Sequence, residues 1–553
     1  MNLLSDASAY NLLWTTYGIL LVSATFVAFK ERDNSAFISA NGTQTALPLA
    51  LNFIASGIGC GSLSAYPQIA NIAGIHGLLV YALAGGLPML LFAFLGPLIK
   101  RKVPNGFVLT EWVFQRYGLV TGWYLSLCTL LTVFLFMVSD VAALKFAISS
   151  ISNVNVTYAI IVEAIVTTIY TSLGGFQISF ITDSLQVTIV FALITVVTCA
   201  IGEYVEIDTS RIEPSGLLKT NKLGWQLVYI LTLAIFTNDF FMSGFWLRTF
   251  AAKTNRDLLT GCSIACIVLV VFSTVVGSSG LLAVWADLMP VADKERSGSA
   301  FFILISHLPN PVIGLTLVMI ATLSTCTFDS LQSAMVSSLS NDLFRNRISI
   351  VYARSLVVFV MLPVIVIGLV AEDILKIYLF VDLLSSSVVP VLVVGLWNKM
   401  DTYWTGWEVV GGGFGGLLCV WIFGTVYYQS AYEGFHLLFL ANGIYVDDWS
   451  SFGAFVAAPL GGLFTGFSIM HIRLTCERLY SNRSSKFHRF CTNLDAITGI
   501  TAVRNTILDW ETSFLGPSGI LLTKKKEDVS NEESTSEGLP LTKLQSPIAY
   551  ATC

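Results

Sequence analysis

Ser56-Gly57-Ile58-Gly59-Cys60-Gly61-Ser62-Leu63-Ser64-Ala65-Tyr66-Pro67 is the stretch on which the fold turns. It lies inside an apolar run, 46 to 73, and about 20 apolar residues suffice for a helix to cross a bilayer. Three alternating glycines and a following proline loosen the i to i−4 hydrogen-bond ladder there. Two readings stand on the segment alone. The small residues pack a neighbouring helix closely, as in GxxxG seams. Alternatively the helix opens, and its freed carbonyls line a cavity or bind a cation, the settings in which unpaired backbone is tolerated at lipid depth.

The surrounding chain is made of similar runs. Spans are predicted near 11 to 29, 46 to 73, 76 to 98, 118 to 148, 156 to 173 and 177 to 202. Seven more follow near 224 to 247, 258 to 286, 311 to 338, 350 to 370, 374 to 397, 406 to 428 and 452 to 472. Composition agrees: 55% of residues are hydrophobic and 12% charged, against about 25% charged in an ordinary soluble domain. The expected solvent is the lipid bilayer. A net charge of −5 without a clustered basic surface excludes a nucleic-acid partner. Most of the ten cysteines fall in apolar runs and none forms a CxxC pair, so neither a metal site nor a disulfide framework is expected.

Basic residues set the expected orientation, because cytoplasmic loops are enriched in Lys and Arg. Lys30 and Arg32, Lys100 to Lys102, Arg248 with Lys253 and Arg256, Arg345 with Arg347, Lys399, and Arg473 onward fall on alternate connections. That places the N-terminus outside and the C-terminus in the cytoplasm. The first span lacks a basic N-terminal flank and is read as a retained helix, not a cleaved signal peptide. Asn155 opens a glycosylation sequon on a loop expected outside. Beyond about 484 hydropathy drops, and the last thirty residues are expected to be a disordered cytosolic tail that gives regulators a place to act.

A carboxylate inside an apolar helix is costly unless it faces a pathway or a partner. The seventh span carries Thr237-Asn238-Asp239 followed by Ser243-Gly244, five spans after the glycine-broken second. Two inverted five-helix repeats would produce that spacing, with the substrate between them. The ninth span places Cys326, Ser330, Ser333 and Ser337 on one face, where hydroxyls are either cation ligands or bonds to neighbouring helices. Asp140, Glu163, Asp183 and Asp382 are further intramembrane candidates, and Lys145 is close enough in sequence to Asp140 to suggest a structural pair. The clusters Gly411 to Gly413, Gly415-Gly416 and Gly461-Gly462 are read as helix packing. There is no HExxH, nucleophile elbow or His-rich cluster, so no catalytic residue is expected.

Gly174-Gly175 followed at the right spacing by Thr182-Asp183 and Gln186 resembles the GG-x(6)-TD-x-x-Q signature of the sodium:solute symporters. Trp246-Leu247-Arg248 with Ala251-Ala252-Lys253 is similar to that family's WQR-x-x-AAK element, and Cys326-Thr327-Phe328-Asp329-Ser330 resembles its STADS element. The resemblance runs from about 35 to 475. Lys100-Arg101-Lys102-Val103-Pro104-Asn105, Arg116-Tyr117-Gly118 and Ser386-Ser387-Val388-Val389-Pro390 look like its fungal and plant urea and polyamine branch. It implies an all-α, LeuT-type 5+5 inverted repeat with about 13 transmembrane helices. Residues 1–45 would hold the first helix and its link, 46–397 the ten-helix core, 398–475 two added helices and 476–553 the cytoplasmic tail.

The implied activity is plasma-membrane symport of a small polar nitrogenous solute with H+ or Na+, without any other cofactor. The alternatives are a transporter-like nutrient sensor, or a paralogue for another solute. Solute contacts are expected from Ser62, Ser64, Tyr66, Asn238, Asp239 and Ser243. The coupling ion is expected at Gly57, Gly59, Cys60, Cys326, Thr327 and Ser330, with release inward past Asp183. The two glycines before Asp183 are expected to make a tight turn. Cys326 offers a soft thiol where the family has a hydroxyl, which suits sodium poorly and leaves the choice of ion open.

Overall fold

The computed structural model describes residues 3–30, 41–343 and 350–498, except 105, 107, 294, 295, 372, 401, 402, 442 and 445–448. Most of the expected disordered tail, 499–553, lies outside the described residues. The N-terminal half consists of α1 (Asp6–Lys30), α2 (Ala46–Gly57), α3 (Ser62–Gly86), α4 (Pro88–Lys102), α5 (Leu109–Tyr117), α6 (Leu119–Ile151) and α7 (Val156–Tyr204). It continues with α8 (Lys222–Phe241), α9 (Ser243–Ala251), α10 (Asn255–Trp285), α11 (Ala300–Ile305), α12 (Asn310–Ser338) and α13 (Ile350–Val370). The last elements are α14 (Ile374–Val393), α15 (Gly406–Tyr428), α16 (Ala431–Leu437) and α17 (Ser450–Thr498).

Among the described residues nine helical lengths are long and apolar enough to span a bilayer, and the bent pair α8 and α9 makes a tenth. Shorter apolar helices at Ala46–Gly57, Val156–Ile169 and Val358–Val370 fall on other expected spans. Two lengths double back on themselves. Gly74 has φ +65°, and Tyr66 stacks on Tyr81 across it with ring centroids 4.2 Å apart, so Ser62–Lys102 holds two crossings. The helical backbone of α7 runs through Gly174-Gly175, yet Thr171 and Thr182 donate to the two oxygens of one Asp329 carboxylate, at 2.5 and 3.4 Å. In a straight helix those two residues would stand about 16 Å apart along the axis, so α7 reverses between them. At the C-terminal end, α17 continues to Thr498, well past the expected end near 472.

Apolar side chains cover the outside of the bundle: Val22, Phe94, Phe359, Val426 and Phe464 are among the most exposed, as lipid contact requires. The interior is organised around α12, whose apolar window is 78% buried against 28% for α1. α15 and α17 meet through glycine. A Cβ on Gly416 would lie 2.6 Å from Ala458 O, and one on Gly412 2.9 Å from Gly462 O, so these backbones touch only because both positions lack a side chain.

Arg32, Arg345 and Arg347 lie outside the described residues and Arg248 is buried, while other basic connections converge on one face. Lys253 N donates to Gln44 O at 2.8 Å, Lys100 Nζ reaches Ala252 O at 3.3 Å, and Lys102 Nζ reaches Asn398 Oδ1 at 3.2 Å. Arg116 donates to Trp404 O at 2.9 Å, and Arg473 pairs with Glu408 at 2.8 Å. The opposite face is closed by Leu4 N to Ile151 O, Asp208 N to Trp285 O and the exposed Arg211–Asp287 pair.

Candidate functional site

The second span breaks where its glycines stand. α2 ends at Gly57, α3 begins at Ser62, and Ile58 between them is extended (φ −115°, ψ 106°). Neighbouring helices take up the polar groups this releases. Thr327 Oγ1 on α12 donates to Ile58 O at 3.0 Å, and Cys60 N–H donates to Asp140 Oδ1 on α6 at 3.1 Å. Close approach explains the glycines: a Cβ on Gly59 would meet Thr327 at 3.2 Å and Asp140 Oδ1 at 3.4 Å, and one on Gly61 would overlap the Tyr378 hydroxyl. Of the two readings of this segment, the opened helix is the one observed, and small-residue packing is what lets it open against α6 and α12.

The seventh span breaks at Met242, which is extended (φ −71°, ψ 97°), and α8 and α9 meet there at 66°. Trp246 Nε1 spans the break to Phe240 O at 2.8 Å. Between the two breaks lies a cavity enclosing about 850 Å³ of empty space, mouth included. Its walls carry Asp140, Asp239 and Asp382, with Tyr66, Tyr81, Tyr378, Phe136 and Phe245 around them. Among the described residues, its lining includes no Lys, Arg or His. Asn238 Oδ1 and Asp382 Oδ1 are buried without a hydrogen-bond partner, so both are open to a donor.

The expected solute residues Ser62, Tyr66, Asn238 and Asp239 line this cavity, as do Gly57, Gly59 and Thr327 from the expected ion set. Ser64 is not among them; its hydroxyl donates to Gly298 O at 2.6 Å. Ser243 is buried beyond the α8–α9 break and is not part of the lining. Cys60 contributes its backbone N–H. Cys326 and Ser330 face elsewhere: their Sγ and Oγ approach Asp183 at 3.5 and 2.9 Å, and Arg248 Nη2 bonds the same carboxylate at 2.8 Å. The expected residues therefore divide between an acidic cavity at the two breaks and a buried charged cluster around Asp183. Ile58 O, Thr327 Oγ1 and the Asp140 carboxylate are hard oxygen donors, of a kind that suits an alkali cation or a proton.

The suggested Asp140–Lys145 pair is not made. Lys145 Nζ donates to Leu369 O and Ala371 O, both at 2.9 Å, while Asp140 Oδ2 accepts from Ser324 at 2.8 Å. Side chains five apart on a helix point about 140° away from each other, too far for an ion pair along one face. Asp382, Tyr81, Tyr378, Phe136 and Phe245 were not assigned to the site from sequence; the cost of burying a carboxylate was the signal for Asp382, and the rings gave none. Asn155 is exposed at the start of α7, where its side chain accepts from Thr157 N–H at 3.1 Å.

A sequence profile of the sodium:solute symporter family matches residues 37–404. The spermidine transporter DUR31 of Candida albicans is 50% identical over 485 residues, covering 87% of this chain and 93% of that protein. Probable urea active transporter 2 of Schizosaccharomyces pombe is 32% identical over 129 residues, 23% of this chain and 19% of that protein. A Na+-coupled sialic acid symporter, solved substrate-bound and outward-open, superposes with a TM-score of 0.65 at 13% identity, over 84% of this chain and 97% of that one. Mhp1, a nucleobase-cation-symport-1 family transporter solved closed with bromovinylhydantoin bound, gives 0.53 at 11% identity over 79% and 96%. These two share the fold, a LeuT-type inverted repeat.

Proposed function

We propose that this chain, which belongs to the sodium:solute symporter family, imports a polyamine against its gradient by coupling it to inward movement of H+ or Na+. The observation that carries this reading is the cavity whose described lining has three aspartates, five aromatic rings and no basic side chain. An ionised carboxylate at membrane depth costs several kcal/mol unless a cation or a proton meets it. A polyamine supplies both halves of what this cavity lacks. Its ammonium groups would meet Asp239 and Asp382, and its methylene segments would lie against the rings, whose faces attract cations by about 0.5–2 kcal/mol each. Urea, being neutral, would leave the carboxylates unpaired. The 50% identity to a spermidine transporter over most of both chains supports the same choice.

In this reading the coupling ion sits at the broken second span, among Ile58 O, Thr327 and Asp140, and leaves inward past Asp183. Driving force comes from the ion gradient and from the membrane potential, about 2.3 kcal/mol per charge per 100 mV, which acts on every ammonium carried. The basic face is placed in the cytosol and the chain in the plasma membrane, with Asn155 outside and available for glycosylation. The deciding experiment is uptake of labelled spermidine, putrescine and urea into proteoliposomes, with proton and sodium gradients imposed separately. Accumulation of a polyamine under either gradient is expected; accumulation of urea alone would overturn the assignment.

A further inference from the structure

Resting on the symport reading above, we propose that Glu163 and Asp140 share one proton, and that this pair is the site through which a coupling proton is carried. Glu163 on α7 is 2% exposed, and Asp140 on α6 is also 2% exposed. Ser324 on α12 joins the two carboxylates, whose charges act on one another: its hydroxyl donates to Asp140 Oδ2 at 2.8 Å and lies within hydrogen-bonding reach of Glu163. Two adjacent carboxylates in a low-dielectric interior cannot both stay ionised without a cation between them. Among the described residues no Lys, Arg or His acts on either carboxylate, and the ammonium of Lys145 on α6 is given to carbonyl oxygens.

A second observation points to an occupant. Tyr17 on α1 is 1% exposed, the Glu163 carboxylate is the charged group that acts on it most strongly, and its hydroxyl is buried without a hydrogen-bond partner. Glu163 Oε1 is likewise buried without a partner. A buried donor and a buried acceptor that act on one another electrostatically are thus both left without a bond, an arrangement that a proton on Glu163, relayed by a water, would complete. Among the described residues, the other titratable groups acting with the pair are Cys60 at the break of the second span and Tyr378 on α14, neither of which supplies positive charge. Asp140 also lines the solute cavity and accepts from Cys60 N–H. The protonation state of the pair is therefore mechanically linked to the break itself. Loading one proton leaves a single negative charge; losing it inward leaves two, which favours re-exposure of the pair to the opposite side.

The test uses the full chain in proteoliposomes with labelled spermidine outside and a pH-sensitive dye trapped inside, in one arm under an inward proton gradient without sodium and in a parallel arm under an inward sodium gradient without a proton gradient. Wild type is expected to accumulate spermidine with proton entry. Glu163→Gln is expected to lose the spermidine-dependent proton signal, and whatever downhill flux remains should be independent of outside pH. Glu163→Asp, which keeps a carboxyl, should recover proton entry with a displaced pH profile. Proton entry in Glu163→Gln equal to wild type overturns the inference. So does wild-type accumulation driven by sodium without proton movement, or a folded, monodisperse Glu163→Asp that moves no protons. A wild type that moves no spermidine under any gradient sinks the transport reading itself, and is distinguished from failure of the proton site by that absence.

Discussion

Arg248 Nη2 and Asp183 Oδ2 stand 2.8 Å apart with both side chains shut away from solvent, 1% and 0% exposed. The same guanidinium donates to Asn52 O at 3.0 Å, Gly244 O at 3.0 Å and Ser330 Oγ at 3.0 Å. One side chain thus ties α9, the lower half of the broken seventh span, to α2, the first half of the broken second span, and to α7 and α12. Removing one partner of a buried pair strands the other charge, at a cost of about 3–5 kcal/mol. Arg248→Met and Asp183→Asn are each expected to lower the thermal unfolding temperature in detergent, and the double variant to lose less than the sum of the two. Additive losses would show that the two side chains do not act as a unit.

Asp183 lies outside the solute cavity, so its effect on transport should be one of rate. In surviving Asp183→Asn protein, the maximal uptake rate is expected to fall by more than the KM for spermidine changes. Proportionate changes in both would mean that the residue contacts the solute.

Thr327 Oγ1 bonds Ile58 O at the break and its own Leu323 O at 3.1 Å. Thr327→Val keeps the volume and deletes that bridge together with one oxygen of the proposed ion site. Concentrative uptake is expected to drop while the protein still reaches the cell surface; unchanged accumulation in vesicles would remove Thr327 from the ion path.

The two interruptions were legible in sequence because Gly57 to Gly61 and Pro67, and then Asn238-Asp239, contradict the apolar runs that contain them. The cost of intramembrane charge likewise marks Asp140, Glu163, Asp183 and Asp382 in the sequence alone. What sequence lacked was the lateral packing of α6, α8, α12 and α14, which decides which of those carboxylates share an enclosure. Neither Arg248 with Asp183 nor Ser324 with Asp140 has a local signature, since each contact joins helices far apart along the chain. The Asp140–Lys145 pairing failed for the complementary reason: sequence proximity was used where helix phase governs.

If ammonium groups are met by the cavity carboxylates, neutralising one should penalise polycations selectively. A charge-assisted hydrogen bond contributes about 1.5–3 kcal/mol, so Asp239→Asn and Asp382→Asn should each weaken spermidine competition by roughly 10- to 150-fold. Any residual interaction with urea should be unaffected. Equal weakening for both ligands would indicate a collapsed cavity and no charge recognition.

Gly61 tests whether the break must be as tight as it is. A methyl there would overlap the Tyr378 hydroxyl, while the ring carbon beneath that hydroxyl is 3.1 Å away, a distance that a small shift relieves. Gly61→Ala is therefore expected to abolish uptake by forcing α3 away from α14, and Tyr378→Phe in the same chain should restore part of it by removing the overlapping oxygen. The Tyr378→Phe single variant, measured alongside, separates relief of the clash from any loss due to the missing hydroxyl, which faces Ser139 and the cavity. Recovery in the double variant above the Gly61→Ala level would establish that contact between the glycine backbone and the tyrosine sets the geometry of the opened helix. No recovery would mean that Gly61 is required for its backbone conformation or for the solute, independently of Tyr378.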